Sequence, residues 1–262
     1  MKGTPLKKKP IHVYISLLGG LGNNLFQLAL GYKLENMGYK VKFDVSNVKK
    51  RNLEITKIEK LSEFFHHRQA LWTRYFPSAI GKRSSVSKFI LRYFLKIKPL
   101  IDLQSNPNLN LNFSSNVLLV GYWQNSEIAN NLKSKEFLNI EIKKNKISVH
   151  VRRGDMLINI LNPLDAYYSE AVNSIIKMNP SRIFDIYVYT DDPAYCMTEL
   201  RLDFPFYLVT GSNAVTDFFG MIESEYLVIS RSTFSWWAGF LSKGTVFSPM
   251  PWIHIIQILM RQ

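Results

Sequence analysis

His150-Val151-Arg152-Arg153-Gly154-Asp155 follows directly on the apolar run Ile147-Ser148-Val149, and this junction organises the reading of the whole chain. The run reads as a short buried strand. Two adjacent arginines and a carboxylate then stand at a strand's carboxyl end, where open α/β sheets hold their ligands. A buried arginine pair is costly to desolvate without an anionic partner. A guanidinium fork matches two phosphate oxygens at once, which makes a phosphate group the leading ligand. A salt bridge from either arginine to a local carboxylate would satisfy the same charge, and spacing alone leaves both open.

Outward from this junction the second half alternates cleanly. Residues 184–190, 205–209, 226–230 and 245–248 read as further strands, and 164–178, 193–202, 215–223 and 234–242 as helices. Strands alternating with helices predict parallel βαβ units with helices on both faces of a sheet. The first half opens with the same grammar. A strand at 11–18 runs into Gly19-Gly20-Leu21-Gly22, and a helix over 25–37 is capped by Asn23 or Asn24 and stopped at Gly38. A strand at 41–45 follows, then a short helix over 58–67, a buried strand at 117–122 and a helix starting near Ser126. Lys143-Lys144-Asn145-Lys146 reads as a basic turn and linker, which divides the chain into domains 1–143 and 144–262. There is no internal repeat and no low-complexity tract.

The 262 residues are 47% hydrophobic, enough for a sizeable core and against wholesale disorder. No apolar stretch reaches the roughly 18 residues that span a bilayer. The start, Lys7-Lys8-Lys9-Pro10 before a strand and a glycine loop, does not read as a signal peptide. A single cysteine, Cys196, excludes an intrachain disulfide and fits a reducing, cytoplasmic compartment. The charge is lopsided. Residues 1–100 hold 20 lysines and arginines against 5 acidic residues, or +15; residues 101–262 hold 13 against 15, or −2. A basic half beside a near-neutral half points to an anionic partner met by one half: nucleic acid, a membrane surface or an anionic substrate. Within 85–98, Lys88, Arg92 and Lys96 recur every four residues among Phe89, Ile90, Tyr93, Phe94 and Ile97. Such a basic amphipathic helix either lies on an anionic membrane or packs on its own domain with its lysines solvated.

Three further segments carry chemistry. The amino-terminal loop has the strand, glycines and helix of a dinucleotide fingerprint, with Asp44 about 20 residues on, but Leu25 stands where the third glycine belongs. What survives is a helix start with free N–H groups and a positive dipole end, with the Asn23 amide as an extra donor. A tight strand-to-helix turn explains the same glycines. Tyr187-Val188-Tyr189-Thr190-Asp191-Asp192-Pro193 ends a strand in two carboxylates, which either accept from ribose or guanine donors or cap the next helix. Ser230-Arg231-Ser232-Thr233-Phe234-Ser235-Trp236-Trp237 places hydroxyls at a helix start, suited to a pyrophosphate or to ordinary capping, with the tryptophans as core mass. The sequence has no Asp-x-Asp metal pair, no Walker loop, no H-E-x-x-H, no cysteine pair for zinc and no G-x-S-x-G. His66-His67 reads as structural or solvated.

Taken in order, these segments resemble the α-1,2-fucosyltransferase family, glycosyltransferase family 11, of the bacterial type. The matches are Gly19-Gly20-Leu21-Gly22-Asn23-Asn24-Leu25-Phe26-Gln27, His150 to Asp155, Tyr189-Thr190-Asp191-Asp192, and Ser232-Thr233-Phe234-Ser235-Trp236-Trp237. Gly121-Tyr122-Trp123-Gln124 and Asp165 to Tyr168 echo two weaker family motifs. The resemblance implies a GT-B architecture, two Rossmann-like domains facing across a cleft, the first on the acceptor side and the second holding a GDP-sugar. It implies metal-independent inversion at the fucose anomeric carbon, with GDP-fucose as donor and the 2-OH of a galactose-type residue of a bacterial surface glycan as acceptor.

Carried over by residue, the resemblance assigns Arg152 or Arg153 to the pyrophosphate and the departing GDP, and His150 and Asp192 to guanine. Gly22 and Asn23 would approach the phosphates from the first domain, and Ser232 and Thr233 would add hydroxyl contacts. Asp155 is within reach of a bound sugar, either as general base or as a residue orienting the arginines. The chain departs from the family pattern at Arg231, where Asn is usual, and at Asn24, where Gln is common. A lipid-linked oligosaccharide acceptor would explain the basic first half, through peripheral contact with the anionic inner face of the bacterial inner membrane. The rival readings are a same-fold transferase for another nucleotide sugar, a basic nucleic-acid-binding protein and an NAD-dependent oxidoreductase. No nucleic-acid module signature supports the second, and the missing glycine disfavours the third.

Overall fold

The computed structural model describes residues 9–45, 54–58, 61–63, 67–70, 97–102, 110–133, 140–153, 164–200 and 202–249. Asp155, His66 and the basic segment 85–98, apart from Ile97 and Lys98, lie outside the described residues. The chain divides into two compact units, Met1–Gly19 with Asn23–Ser134, and Gly20–Gly22 with Lys135–Gln262.

The first unit carries a parallel four-stranded sheet of order β2-β1-β4-β3, made of β1 (His12–Ser16), β2 (Lys40–Asp44), β3 (Lys98–Asp102) and β4 (Val117–Gly121). β4 is buried at every position, as expected of a strand covered on both faces. Helix α1 (Leu21–Asn36) connects β1 to β2, and Leu25, Phe26, Leu28, Ala29, Leu30 and Leu34 are fully buried. It starts earlier than the sequence suggests: Asn23 and Asn24 are helical instead of capping. The reason is a polar clamp inside the core. The Gln27 amide donates to the Gly121 carbonyl at 2.8 Å, and its oxygen accepts from the Leu18 N–H at 3.1 Å and from Asn24 Nδ2 at 3.0 Å. Asn24 also donates to the Leu18 carbonyl. Gly38, at φ +90°, ends the helix as predicted, its N–H returning to Glu35 O while Tyr39 N returns to Leu34 O. Of the short helix expected over 58–67, residues 61–63 are helical and 59–60 and 64–66 lie outside the described residues; a 3-10 turn at Glu54–Lys57 precedes it. Helix α2 (Ser126–Lys133) starts where the sequence places it.

The second unit carries a parallel five-stranded sheet of order β7-β6-β5-β8-β9: β5 (Lys143–Val151), β6 (Asp185–Thr190), β7 (Tyr207–Val209), β8 (Ser224–Val228) and β9 (Thr245–Phe247). This is a Rossmann-like strand order, and its direction reverses between β5 and β8. Helices α3 (Asp165–Met178) and α4 (Pro193–Thr198) cover one face, where Tyr168, Val172, Ile175 and Cys196 pack on Ile147, Val149, Val151, Ile186 and Val188. Because side chains alternate along a strand, Ser148 and His150 point to the opposite face. That face carries α5 (Ala214–Ile222) and α6 (Thr233–Leu241), with Phe234 against His150 and Gly220 against Tyr189.

Lys143-Lys144-Asn145-Lys146 is no loop but the opening of β5. Its charge is matched across the strand pair. The Lys143 and Lys146 amines both donate to Glu223, at 2.7 and 2.8 Å, while the Asn145 N–H and the Arg182 guanidinium donate to Glu225. Glu223 and Glu225 are thus the counter-ions that make a basic strand start possible.

Candidate functional site

The carboxyl ends of β5, β6 and β8 gather most of the polar groups singled out in the sequence, and strand register explains how. Val151 pairs with Thr190, so the residues just beyond them, Arg152 and Asp191, fall side by side. Arg152 Nη1 lies 3.0 Å from Asp191 Oδ2, and Asp191 Oδ1 accepts from the Arg153 N–H at 2.8 Å. One carboxylate therefore staples both arginines to the end of β6, which is the local salt bridge that the sequence left open.

Arg153 is held differently. Its guanidinium carbon lies 3.5 Å from the centroid of the Tyr195 ring, a close cation–π contact. Its Nε is buried, with no hydrogen-bond partner among the described residues. The same is true of Arg231 Nε at the end of β8. By contrast the Nε of Arg68 donates to Glu35 and that of Arg182 to Asn145, and each of these guanidinium groups also meets a carboxylate through two nitrogens, Glu35 and Glu225. A buried guanidinium N–H without an acceptor is the kind of defect a bound anion removes.

His150 is 4% exposed and its ring lies 5.3 Å from that of Phe234. Nδ1 lies 2.9 Å from Ser230 Oγ, across the β5–β8 reversal. Burial, reinforced by the neighbouring Arg152 charge, lowers its pKa to about 3. The imidazole is therefore neutral between pH 5 and 8 and works as a fixed hydrogen-bonding group, not as a proton carrier.

Two of the proposed contact residues are also caps. Asp192 Oδ1 accepts from the Tyr195 N–H at 3.1 Å, with Pro193 opening α4. Ser232 Oγ accepts from the Ser235 N–H at 3.1 Å, and Ser235 Oγ in turn accepts from the Ser230 N–H at 2.9 Å. These two bonds fix the start of α6, with Thr233 in its first turn, where the helix dipole is positive. Trp236 and Trp237 are fully buried, as core mass should be. Gly22 clusters with this unit, and its missing side chain has a clear cause. A Cβ there would overlap the Thr233 carbonyl carbon and the Phe234 nitrogen. Asn23 belongs to the first unit, where its Oδ1 accepts from Gln124 Nε2 at 3.0 Å, joining two motifs distant in sequence.

Sequence reasoning missed Tyr195 and gave Asp165 only as part of a weak motif without a role. Tyr195 Oη donates to Asp165 Oδ2 at 2.5 Å, so the weak motif at Asp165 feeds the arginine site through a tyrosine. The available signal was position: a tyrosine at the third residue of a helix that follows a strand-end Asp-Asp-Pro lies over that strand end. Among the described residues no group of three or more His, Cys, Asp or Glu side chains could hold a metal ion. No helix among them is long and apolar enough to cross a membrane.

The chain is 25% identical over 282 residues to an α-1,2-colitosyltransferase of Escherichia coli, covering 92% of each chain. It is 24% identical over 292 residues to the O-antigen biosynthesis glycosyltransferase WbnK of Escherichia coli, covering 92% of this chain and 94% of the relative. The crystal structure of the fucosyltransferase NodZ from Bradyrhizobium superposes with a TM-score of 0.52 at 13% identity, over 90% of this chain and 94% of that one. At that identity the likeness bears on the fold, which is the expected GT-B class built from two parallel α/β units. Residues 109–249, just over half of the chain and all of β5 to β9, match the family Glycosyl transferase family 11. The chain belongs to glycosyl transferase family 11.

Proposed function

We propose that the protein transfers fucose from GDP-fucose to a sugar hydroxyl with inversion, without a metal ion, the acceptor being the 2-OH of a galactose-type residue in a bacterial surface glycan. The observation that carries this reading is the arginine pair at the end of the central strand β5, beside the strand-order reversal, with Arg153 Nε buried and lacking an acceptor among the described residues. The family membership and the name of the colitosyltransferase relative support a nucleotide-sugar donor and a 1,2 linkage.

In this reading the acceptor oxygen attacks the anomeric carbon, the glycosidic C–O bond to the β-phosphate breaks, and negative charge grows on GDP. Arg152 and Arg153 neutralise that charge where it develops, the placement that accelerates most. The amino end of α6, with Ser232 and Thr233, adds N–H and hydroxyl donors. Gly22 lets backbone approach that helix start, and the Asn23 amide is a further donor to the phosphates. His150 and Asp192 face guanine, His150 as a neutral donor or acceptor. Asp155 takes the acceptor proton or orients the arginines. A lipid-linked acceptor, a cytoplasmic location and peripheral contact of the basic first half with an anionic membrane complete the proposal.

One specific observation favours a second donor. The named Escherichia coli relative transfers colitose, which is fucose without its 3-hydroxyl, so GDP-colitose belongs in the same test. Turnover with GDP-fucose, GDP-colitose, GDP-mannose and UDP-glucose, in EDTA and against a galactoside acceptor, decides it. Selective turnover of GDP-fucose supports the proposal, selective turnover of GDP-colitose replaces the sugar, and use of UDP-glucose alone overturns the guanine reading.

A further inference from the structure

We propose that Tyr195 is the positioning residue of Arg153, anchored from behind by Asp165. The inference rests on the reading above, in which Arg153 grips the donor diphosphate. Three tethers hold this tyrosine. Its N–H donates to the Asp192 cap at 3.1 Å, its hydroxyl donates to Asp165 Oδ2, and its ring lies under the Arg153 guanidinium at 3.5 Å. The two carboxylates come from different elements, Asp192 before α4 and Asp165 at the start of α3. The ring is therefore fixed by two helices at once.

The chemical consequence lies in what an aromatic contact leaves unused. An ion pair orients an arginine by consuming its donors, as Asp191 consumes Arg152 Nη1 at 3.0 Å. A ring under the guanidinium orients it through its face and leaves the N–H groups at its edge for an incoming anion. The buried Nε of Arg153, without an acceptor among the described residues, is the visible sign of that reserve. Asp165 strengthens the arrangement. A phenol that donates to a carboxylate becomes more electron-rich, which deepens the negative face presented to the cation. Burial first, then the Asp165 hydrogen bond, pushes the Tyr195 pKa up to about 12, so the hydroxyl remains a donor at any working pH. The two neighbouring arginines are thus held in different ways: Arg152 is oriented by an ion pair through Nη1, and Arg153 is oriented by the ring with its donors in reserve.

The test is a double-mutant cycle on the full-length chain. GDP affinity, and kcat and KM for GDP-fucose, are measured for Tyr195→Leu, Tyr195→Phe and Arg153→Ala, and for each tyrosine variant combined with Arg153→Ala. Thermal melts accompany each variant. Tyr195→Leu is expected to weaken GDP binding and lower kcat by about tenfold, the scale of a desolvated cation–π contact. Tyr195→Phe, which keeps the ring and loses only the bond to Asp165, is expected to cost about two- to threefold and covers the case in which the leucine variant folds poorly. In the Arg153→Ala background neither substitution should change binding or turnover further. If Tyr195→Leu costs the same factor with and without Arg153, the tyrosine is structural and the proposal falls. If wild type binds no GDP, or Arg153→Ala binds it unchanged, the donor-site reading itself falls and takes this inference with it.

Discussion

The two glycine- and arginine-bearing regions that dominate the sequence behave in opposite ways. In the first unit, the polar residues around the glycine loop satisfy one another: Gln27 closes on Leu18, Asn24 and Gly121, and Asn23 accepts from Gln124. At the strand ends of the second unit, Arg153 and Arg231 keep buried N–H groups that no described residue accepts. Both regions carry family motifs, yet the hydrogen-bond pattern separates them. A motif that closes on itself is accounted for by the fold, whereas an unmet guanidinium N–H suits an anion; among the described residues Trp123 Nε1 of the first unit is buried and unmet as well. The comparison also splits a single motif, because Gln27 is fold while Gly22, two turns earlier at most, clusters with the second unit.

The comparison can be broken most forcefully at the arginines. Arg153→Ala and Arg152→Ala are each expected to lower kcat by about 10²–10³ while leaving the melting temperature nearly unchanged, since neither packs the core. Steady-state kinetics beside thermal melts check this, and a large loss of stability would move the arginines to the structural side. The mirror experiment is Gln27→Leu. It leaves the Leu18 N–H, the Gly121 carbonyl and one Asn24 N–H without partners, so urea denaturation should show a loss of about 2–4 kcal/mol. The folded fraction should bind GDP as wild type does. Gly22→Ala sharpens the boundary between the two behaviours. In an ordinary helix the change stabilises by about 1 kcal/mol. Here the overlap with Thr233 and Phe234 should reverse the sign, lowering the melting temperature and weakening GDP binding together.

The smallest expected effect concerns His150 and pH. Its folded pKa lies near 3, below the ordinary 6.5, so the unfolded chain binds the proton that the folded chain refuses. Stability from this site is fully present above about pH 6.5 and is lost as pH falls toward 3, with a slope of at most about 1.4 kcal/mol per pH unit. Melting curves between pH 7.5 and 5 should therefore fall less steeply for His150→Gln than for wild type. Equal slopes would show that the imidazole charges freely in the folded state.

Most of the second unit was legible because its strands are continuous apolar runs punctuated by Asn, Pro and Gly. β6 and α3 lie within one residue of their expected spans. The misses have separate causes. β3 was hidden because Pro99 argues against a strand, but β3 is an edge strand and an edge tolerates proline. The early start of α1 was hidden because glycine and asparagine are poor helix formers, a preference overridden by the buried clamp of Asn24 and Gln27. Lys143 to Lys146 reads as a linker because its counter-ions, Glu223 and Glu225, stand far away in sequence and meet it only across the β5–β8 pair. In the site, the arginines were legible from their place at a strand end. The Tyr195 contact was not, because it joins β5 to α4 through three-dimensional register alone.

The measurement closest to the central claim is calorimetric titration of GDP into wild type and Arg153→Ala in EDTA. The account predicts saturable binding to wild type and at least tenfold weaker binding to the variant, with both proteins folded. Equal GDP affinity in the two, or binding of UDP in preference to GDP, would contradict it.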